Sequence, residues 1–424
     1  MATPDLTTAR GLIEVTRDKF FPRIIPQIFQ EHPLLQKVRK AVPGEEMIGL
    51  KLVIPLKLDN ASSTVFSTNI TSEMDLPLGG RTVNDQLTIT PRKAMSTVSV
   101  ADVLIDRMQE GGSWARPWAY EMDSLKEDMG NKIGYMLHGD STAKLATVAS
   151  FSSGTPATVT VDSTRMLNEG MKIDFIRSGS DVSNAVSITI TRITSATTFT
   201  ATISGTPQAA DVIVPEDSYG AGPHGLGTVM DNTLTDYFGI NRAADYRVQV
   251  NVVHNNGGNG NAALNPLQVQ YLLDTIYNRS GKKPDELVCR SNVYKVFTHL
   301  LRPDMRFDPS RKGPMFGSGV DVDGVPVMQD QDSPANTVRA LRYSSLIRGQ
   351  IKGFIHPHAA PDGTGFIRPA LSQSTDKRYS SAWECSFTHY GVLGAMRFND
   401  LGYIDEIAGL FDANAGYANL GGYS

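Results

Sequence analysis

Cysteine is nearly absent from this 424-residue sequence, with only Cys289 and Cys385. They stand far apart, and neither has a second Cys or a close His at zinc-ligand spacing. A disulfide scaffold and a zinc module are excluded, and two buried thiols in a reducing compartment are expected. Long apolar runs are missing too: no stretch approaches the ~20 residues of a membrane span. Met1 to Arg10 carry no apolar run, and Phe20-Phe21 is soon broken by Pro22 and Pro26, so no secretion signal is expected and the chain reads as soluble and intracellular when made. There is no basic excess. The formal net charge of −4 argues against a protein whose main task is gripping nucleic acid.

Catalytic and metal motifs are equally scarce. His356-Pro357-His358 with Asp362 anchors no third ligand and reads as a surface loop. Asp321-Val322-Asp323-Gly324 lacks the remaining calcium ligands and reads as a hairpin turn. Asn256-Gly257-Gly258-Asn259-Gly260 has no following Gly-Lys-Ser/Thr and reads as a flexible loop. Gly222 to Gly227 is no dinucleotide fingerprint, and Gly317-Ser318-Gly319 is no nucleophile elbow. No catalytic residue, cofactor or metal is expected.

What is present is length for two to four domains and an ordinary globular composition. Residues 1 to about 45 mix a short helical stretch, Leu12 to Phe21, with prolines 22, 26 and 33, and read as an arm. Leu50, Leu52, Ile54, Leu56 and Leu58 alternate with Lys51 and Lys57, which marks a strand. A return strand is expected from Gln86 through Val100, broken in register at Pro91. Asn60 to Asn84 between them is polar and long for a loop in a compact domain.

Ser113 and Pro117 then suit a helix start. Trp118, Met122, Leu125, Met129, Ile133 and Met136 form one stripe, and Gly139 is expected to end the helix. From about Thr147 to Pro215, threonines interleave with β-branched residues between glycines, which predicts a small all-β barrel or sandwich inserted in a larger domain. Beyond Gly220 the texture is α/β. Asn265-Pro266 opens a helix with Val269, Leu272, Leu273 and Ile276 inward, and Gly281 stops it. Glu286 to Cys289 reads as a strand, Ser291 to about Leu301 as a helix, and Val320 to Val327 as a hairpin turning at Asp323-Gly324. Strand character returns in Trp383, Cys385, Phe387 and Val392 to Met396, and the tail from Asn414 is rich in Gly, Ala and Asn.

This order of parts resembles the major capsid proteins of tailed bacteriophages, the fold named after phage Hong Kong ninety-seven. Three stretches carry the resemblance. They are Leu137-His138-Gly139-Asp140; Gly225-Leu226-Gly227 with Phe238-Gly239-Ile240-Asn241-Arg242; and Pro284 to Val288 with Ser291 to Tyr294, Val325-Pro326-Val327 and Asp330. The resemblance implies an α+β fold of six parts. These are an N-terminal arm (1–43), an extended β-hairpin E-loop with the first P-domain strands (44–110), a spine helix (111–146), an inserted β domain (147–216), an A-domain (217–375), and returning P-domain strands with the C-terminal tail (376–424).

It implies a structural role, not an enzymatic one: self-assembly through hexamers and pentamers into an icosahedral or prolate head, in the host cytoplasm, around double-stranded DNA. The partners it implies are further copies of the chain, portal and scaffold proteins, optional decoration proteins, and packaged DNA touched weakly and without sequence preference. No membrane is involved. The expected subunit contacts are Lys57, Thr64, Phe66, Asn69, Glu73 and Arg81 in the hairpin, and the basic cluster Arg302, Arg306, Arg311 and Lys312. Two alternatives stay open. An encapsulin-like nanocompartment shares the fold, and a β-rich surface or tail adhesin would give trimers or fibres.

Overall fold

The computed structural model describes residues 33–41, 47–48, 51–61, 64, 79–101, 117–301, 320–350, 356–357, 367–371 and 379–409. The chain divides into two compact units. One comprises residues 92–228 and 350–391, the other residues 33–91, 229–349 and 392 onward.

The first unit carries the long helix Pro117–Met136. At ~1.5 Å per residue its 20 residues span roughly 30 Å. Of the expected stripe, Met129 and Ile133 are buried, while Met122, Leu125 and Met136 are half-buried; the side chain of Trp118 and the expected cap Ser113 lie outside the described residues. Lys132 pairs with Asp128 one turn earlier at 2.8 Å.

The helix ends at Met136, and its last carbonyls are closed locally: the amides of Leu137, His138 and Gly139 donate to Ile133 O, Tyr135 O and Met136 O. Gly139 thus stands in the terminating turn, as expected, without a left-handed conformation. A distant segment packs just beyond the helix: the Leu226 amide donates to Leu137 O at 2.7 Å, and the Gly227 amide donates to Gly139 O at 2.9 Å. The approach requires glycine. A Cβ on Gly225 would lie 2.5 Å from Leu137 O, and one on Gly227 would lie 2.6 Å from Gly139 O. Arg92 ties the same corner together, donating to the carbonyls of Ser141, Gly220 and Gly222.

Between Ala146 and Pro215 the first unit forms a β unit of seven strands. Strand Ile188–Ile193 pairs on one side with Thr198–Ala201 and on the other with Lys172–Arg177. The path runs on through Ala157–Val161, Ala146–Ser152 and Val212–Pro215 back to Lys172–Arg177, so six strands close into a barrel. Ser180–Asp181 hangs on its outside. Val159, Phe175, Ile190, Phe199 and Ile213 fill the interior. Closure removes the exposed edges that an open sheet would present. The buried carboxylate of Asp211 takes a bidentate contact from Arg177 at 2.8 and 2.7 Å. Buried Asp174 accepts the amides of Ser187 and Asp217.

The expected return strand from Gln86 to Val100 is in fact two strands. Val83–Ile89 pairs with Lys51–Asp59 in the second unit. Arg92–Ala101 pairs with residues 382–391 in the first. Pro91 lies at the switch, where the missing amide cannot continue a ladder. The strand character expected there belongs to one continuous element, Tyr379–Ala395.

In the second unit, Lys51–Asp59 buries Leu52, Ile54 and Leu56 and exposes Lys51, Pro55 and Lys57. A six-stranded sheet runs in the order Asn251–His254, Gly402–Asp405, Val338–Leu341, Glu286–Cys289, Val325–Gln329, Val320–Val322. Helices Pro266–Ser280 and Ser291–Leu301 contribute Val269, Leu272, Leu273, Ile276, Val293 and Val296 to its core. Asn265 caps the first of these by accepting from the Leu267 amide, and Gly281 ends it with φ 71°. Asp323 and Gly324 have φ 51° and 78°, which gives the tight hairpin turn expected.

Candidate subunit-contact surfaces

The second unit contains a cleft of about 670 Å³ built from four separate segments: Pro55 to Leu58, Tyr246 to Val248, Arg279, and Met396 to Asn399. Each wall has a local cause. The first continues the alternation of the hairpin strand, which turns Lys57 outward. The second is a single helical turn held by Asp245, whose carboxylate accepts the Arg247 amide. The third is the last turn of helix Pro266–Ser280. The fourth follows strand Tyr379–Ala395, with Phe398 buried and Arg397 exposed.

Four cations, Lys57, Arg247, Arg279 and Arg397, line this cleft, and no acidic residue does among the described residues. Arg247 is matched from behind. It meets Asp245 at 2.9 Å through two nitrogens and lies 3.8 Å from Asp59. The Asp245 carboxylate, facing Arg247, is held below the usual range. Arg279 is held differently. It donates to Asn251 Oδ1 and to the Tyr246 carbonyl, both at 2.8 Å, and stacks 4.1 Å from the Tyr246 ring. These described partners are uncharged, and partial burial lowers the pKa of Arg279.

A second surface adjoins Arg279. Leu267, Tyr271 and Tyr277 are more than half exposed on the outward face of helix Pro266–Ser280, as is Tyr246 beside the helix end. Exposed tyrosines of this kind are enriched where proteins meet proteins.

Deeper in the unit, Arg242 is fully buried. It donates to the carbonyls of Val248 and Val229 and to Asn232 Oδ1. Its guanidinium lies 5.0 Å from the Tyr237 ring and 4.7 Å from that of Phe398. The arginine therefore fastens the segment that carries the cleft's second wall.

Among the contact residues expected from sequence, Lys57 lines the cleft, and Thr64 and Arg81 are exposed. Phe66, Asn69, Glu73, Arg302, Arg306, Arg311 and Lys312 lie outside the described residues. Sequence reasoning missed Arg247, Arg279 and Arg397, which converge from distant segments. It also passed over Tyr271 and Tyr277, whose helical positions opposite the apolar stripe were a usable signal.

Among the described residues, His254, Asp405 and Glu406 are the group spaced to hold a metal ion. Their geometry has another explanation. His254 Nδ1 lies 2.8 Å from Asp405, and Glu406 accepts the amides of Asn256 and Gly258. Those amides hold the Glu406 carboxyl below its usual range. The Gly-rich loop expected to be flexible is thus braced by Glu406. The pair His356 and His358 with Asp362 lies outside the described side chains. Asp321 to Gly324 form the hairpin turn, where Asp323 meets Lys283 at 2.7 Å. Both cysteines are buried and unpaired, and burial pushes Cys289 up to about 12.

No protein-family model matches the sequence, and no curated protein matches it. Solved structures do. A chain of the cyanophage A-1(L) capsid asymmetric unit aligns with a TM-score of 0.57 at 14% identity, over 94% of this chain and 99% of that one. The chain has the tailed-phage capsid fold. Alignments also exist to a Microbacterium phage Oxtober96 chain (TM-score 0.47, 7% identity, 95% and 98% covered) and to the SrpI encapsulin of Synechococcus elongatus (TM-score 0.44, 9% identity, 96% and 96% covered). Within the capsid fold, the stretches that carried the resemblance have defined structural work. Leu137 to Asp140 end the long helix, and Gly225 to Gly227 pack against that terminating turn. Arg242 fastens a buried corner, and Glu286 to Cys289 with Val325 to Gln329 form the centre of the six-stranded sheet.

Proposed function

We propose that this chain is a structural shell subunit, a major capsid protein that self-assembles into the closed head enclosing the double-stranded DNA of a tailed phage. The observation that carries the reading is the capsid fold aligned over 94% of the chain. A shell needs adhesion spread over repeated interfaces, and specific interfaces usually bury ~1,200–2,000 Å² in total. The exposed tyrosine face and the cationic cleft supply two such contact surfaces. Rings arise when head-to-tail contacts close by rotation, which suits hexamers and pentamers.

In this reading residues 1–43 are the arm, 44–110 the E-loop with the first P-domain strands, 111–146 the spine helix, 147–216 an inserted domain, 217–375 the A-domain and 376–424 the returning strands and tail. Portal, scaffold and decoration proteins are the expected partners. Packaged DNA is touched weakly, assembly takes place in the host cytoplasm, and the role is structural rather than catalytic.

Deleting residues 60–84 tests the role of the projecting hairpin. Folded subunits that fail to make stable shells are expected, and normal particles from this deletion would contradict the reading. The contents of nuclease-treated wild-type shells decide between protected DNA, as expected, and a protein cargo.

A further inference from the structure

The cleft of the second unit holds more positive charge than the chain around it neutralises. Arg247 is matched by Asp245 and Asp59, but among the described residues no acidic side chain lines the cleft beside Lys57, Arg279 and Arg397. Arg279 is already fixed in place. It stacks on the Tyr246 ring, and its described bonds, to Asn251 Oδ1 and the Tyr246 carbonyl, use two of its five N–H donors. A guanidinium held in this way presents its remaining donors as a rigid fork, which suits an anion with several oxygens.

Linked phosphates fit this charge better than a single carboxylate does. A phosphomonoester carries about −1.5 to −2 charge at neutral pH and three strong acceptor oxygens, so a di- or triphosphate matches the unpaired cations. The cleft volume of about 670 Å³ falls within the ~300–1,000 Å³ of small-molecule sites. Leu56, Val248, Met396 and Phe398 supply apolar wall, and Tyr246 stays 63% exposed with Arg279 over its ring, so an organic body on the phosphates also has a surface to meet. We propose that the cleft lined by Lys57, Arg247, Arg279 and Arg397 binds a small polyphosphate, a di- or triphosphate group that is either inorganic or carried by a nucleoside. Lys57 belongs to the hairpin strand, Arg279 to a helix end and Arg397 to the segment after strand Tyr379–Ala395, so one bound anion ties three separate parts of the unit together.

Calorimetric titration of the unassembled full-length subunit tests this without requiring that shells form. Sodium tripolyphosphate and adenosine triphosphate are the probes, at constant ionic strength and without magnesium. A dissociation constant below ~1 mM is expected for at least one of them. Lys57→Gln with Arg397→Gln changes two exposed residues. It should leave circular dichroism and ligand-free melting as they are and weaken binding at least tenfold. Arg192→Gln, an exposed position on the barrel, should leave binding unchanged. Hydrogen exchange should slow at residues 246–248 and 396–399 when the probe is bound. Tighter binding of adenosine triphosphate than of tripolyphosphate assigns the phosphates to a nucleotide, and equal or weaker binding assigns them to an inorganic chain.

Absence of binding by either probe would overturn the inference, as would binding that the double glutamine variant leaves unchanged. Equal binding of succinate at the same ionic strength would overturn it in favour of carboxylates. A single-stranded oligonucleotide that binds at least tenfold more tightly than both probes would overturn it in favour of a nucleic-acid backbone. None of these results bears on the shell reading, which is judged by particles rather than by the isolated subunit.

Discussion

Replacing Arg242 with methionine should destabilise the second unit more than most single substitutions can. The side chain is fully buried, so nothing from solvent replaces what it provides. Two backbone carbonyls, of Val248 and Val229, lose their guanidinium donors. A buried acceptor left without a partner costs ~1–3 kcal/mol. The stacking on Tyr237 and Phe398 is also lost, and a desolvated cation–π contact contributes about 2 kcal/mol. Asn232 Oδ1 keeps a partner in the Val250 amide and adds little. The expected loss is roughly 4–8 kcal/mol, a large share of the ~5–15 kcal/mol that holds a domain together. Arg242→Lys keeps the charge but not the fork of donors, so it should fall between. Urea unfolding of the unassembled subunit, with hydrogen exchange to resolve the two units, measures this. A loss under ~1 kcal/mol for the methionine variant would refute the assignment of Arg242 as the fastener of that corner.

Gly225→Ala should cost ~1–3 kcal/mol and loosen the turn that follows the long helix, because its Cβ would meet Leu137 O at 2.5 Å; exchange at the amides of Leu226 and Gly227 reads this directly. His224 is buried, and desolvation, with Arg92 nearby, lowers its pKa to about 4. A depressed histidine contributes stability that is full above pH ~6.5 and is lost as pH falls from there toward 4. Over that window the first unit should lose at most about 3 kcal/mol through this group, and His224→Gln should flatten that part of the pH profile. Cys289 and Cys385 should resist thiol reagents in the native protein and react only on unfolding, since burial raises both thiols; rapid native labelling would contradict their placement. Leu267→Ser with Tyr271→Ser should leave subunit stability within ~0.5 kcal/mol yet reduce association, as light scattering would show.

Elements whose cause is local were legible in the sequence. Helix Pro266–Ser280 announces its cap at Asn265, its buried stripe and its stop at Gly281 within sixteen or so positions, and the Asp323-Gly324 turn is set by two residues. The mixed α and β character follows from the same signals. Elements that depend on distant pairing were not legible. Alternation marks Val83–Ile89 and Arg92–Ala101 as strands, but nothing near Pro91 says that they join different sheets. Threonine-rich alternation likewise cannot distinguish an open sandwich from a barrel closed by Ile188–Ile193 against Lys172–Arg177. Gly139 is legible as the helix stop, but the distant segment Leu226 and Gly227 that packs just beyond it is not. The cleft is the extreme case. Its cations come from four segments, and in sequence each is an isolated charge on a solvated face. The densest basic cluster in the sequence, Arg302 to Lys312, drew attention because charge density along a chain is visible and convergence in space is not.

In the proposed function this polypeptide closes a shell with other copies of itself. Electron microscopy of the purified chain, with sedimentation of the same sample across a concentration series, tests it most directly. Hollow closed particles, in equilibrium with ring-like intermediates at lower concentration, are the predicted result. A compact monomer that persists at high concentration would contradict the account.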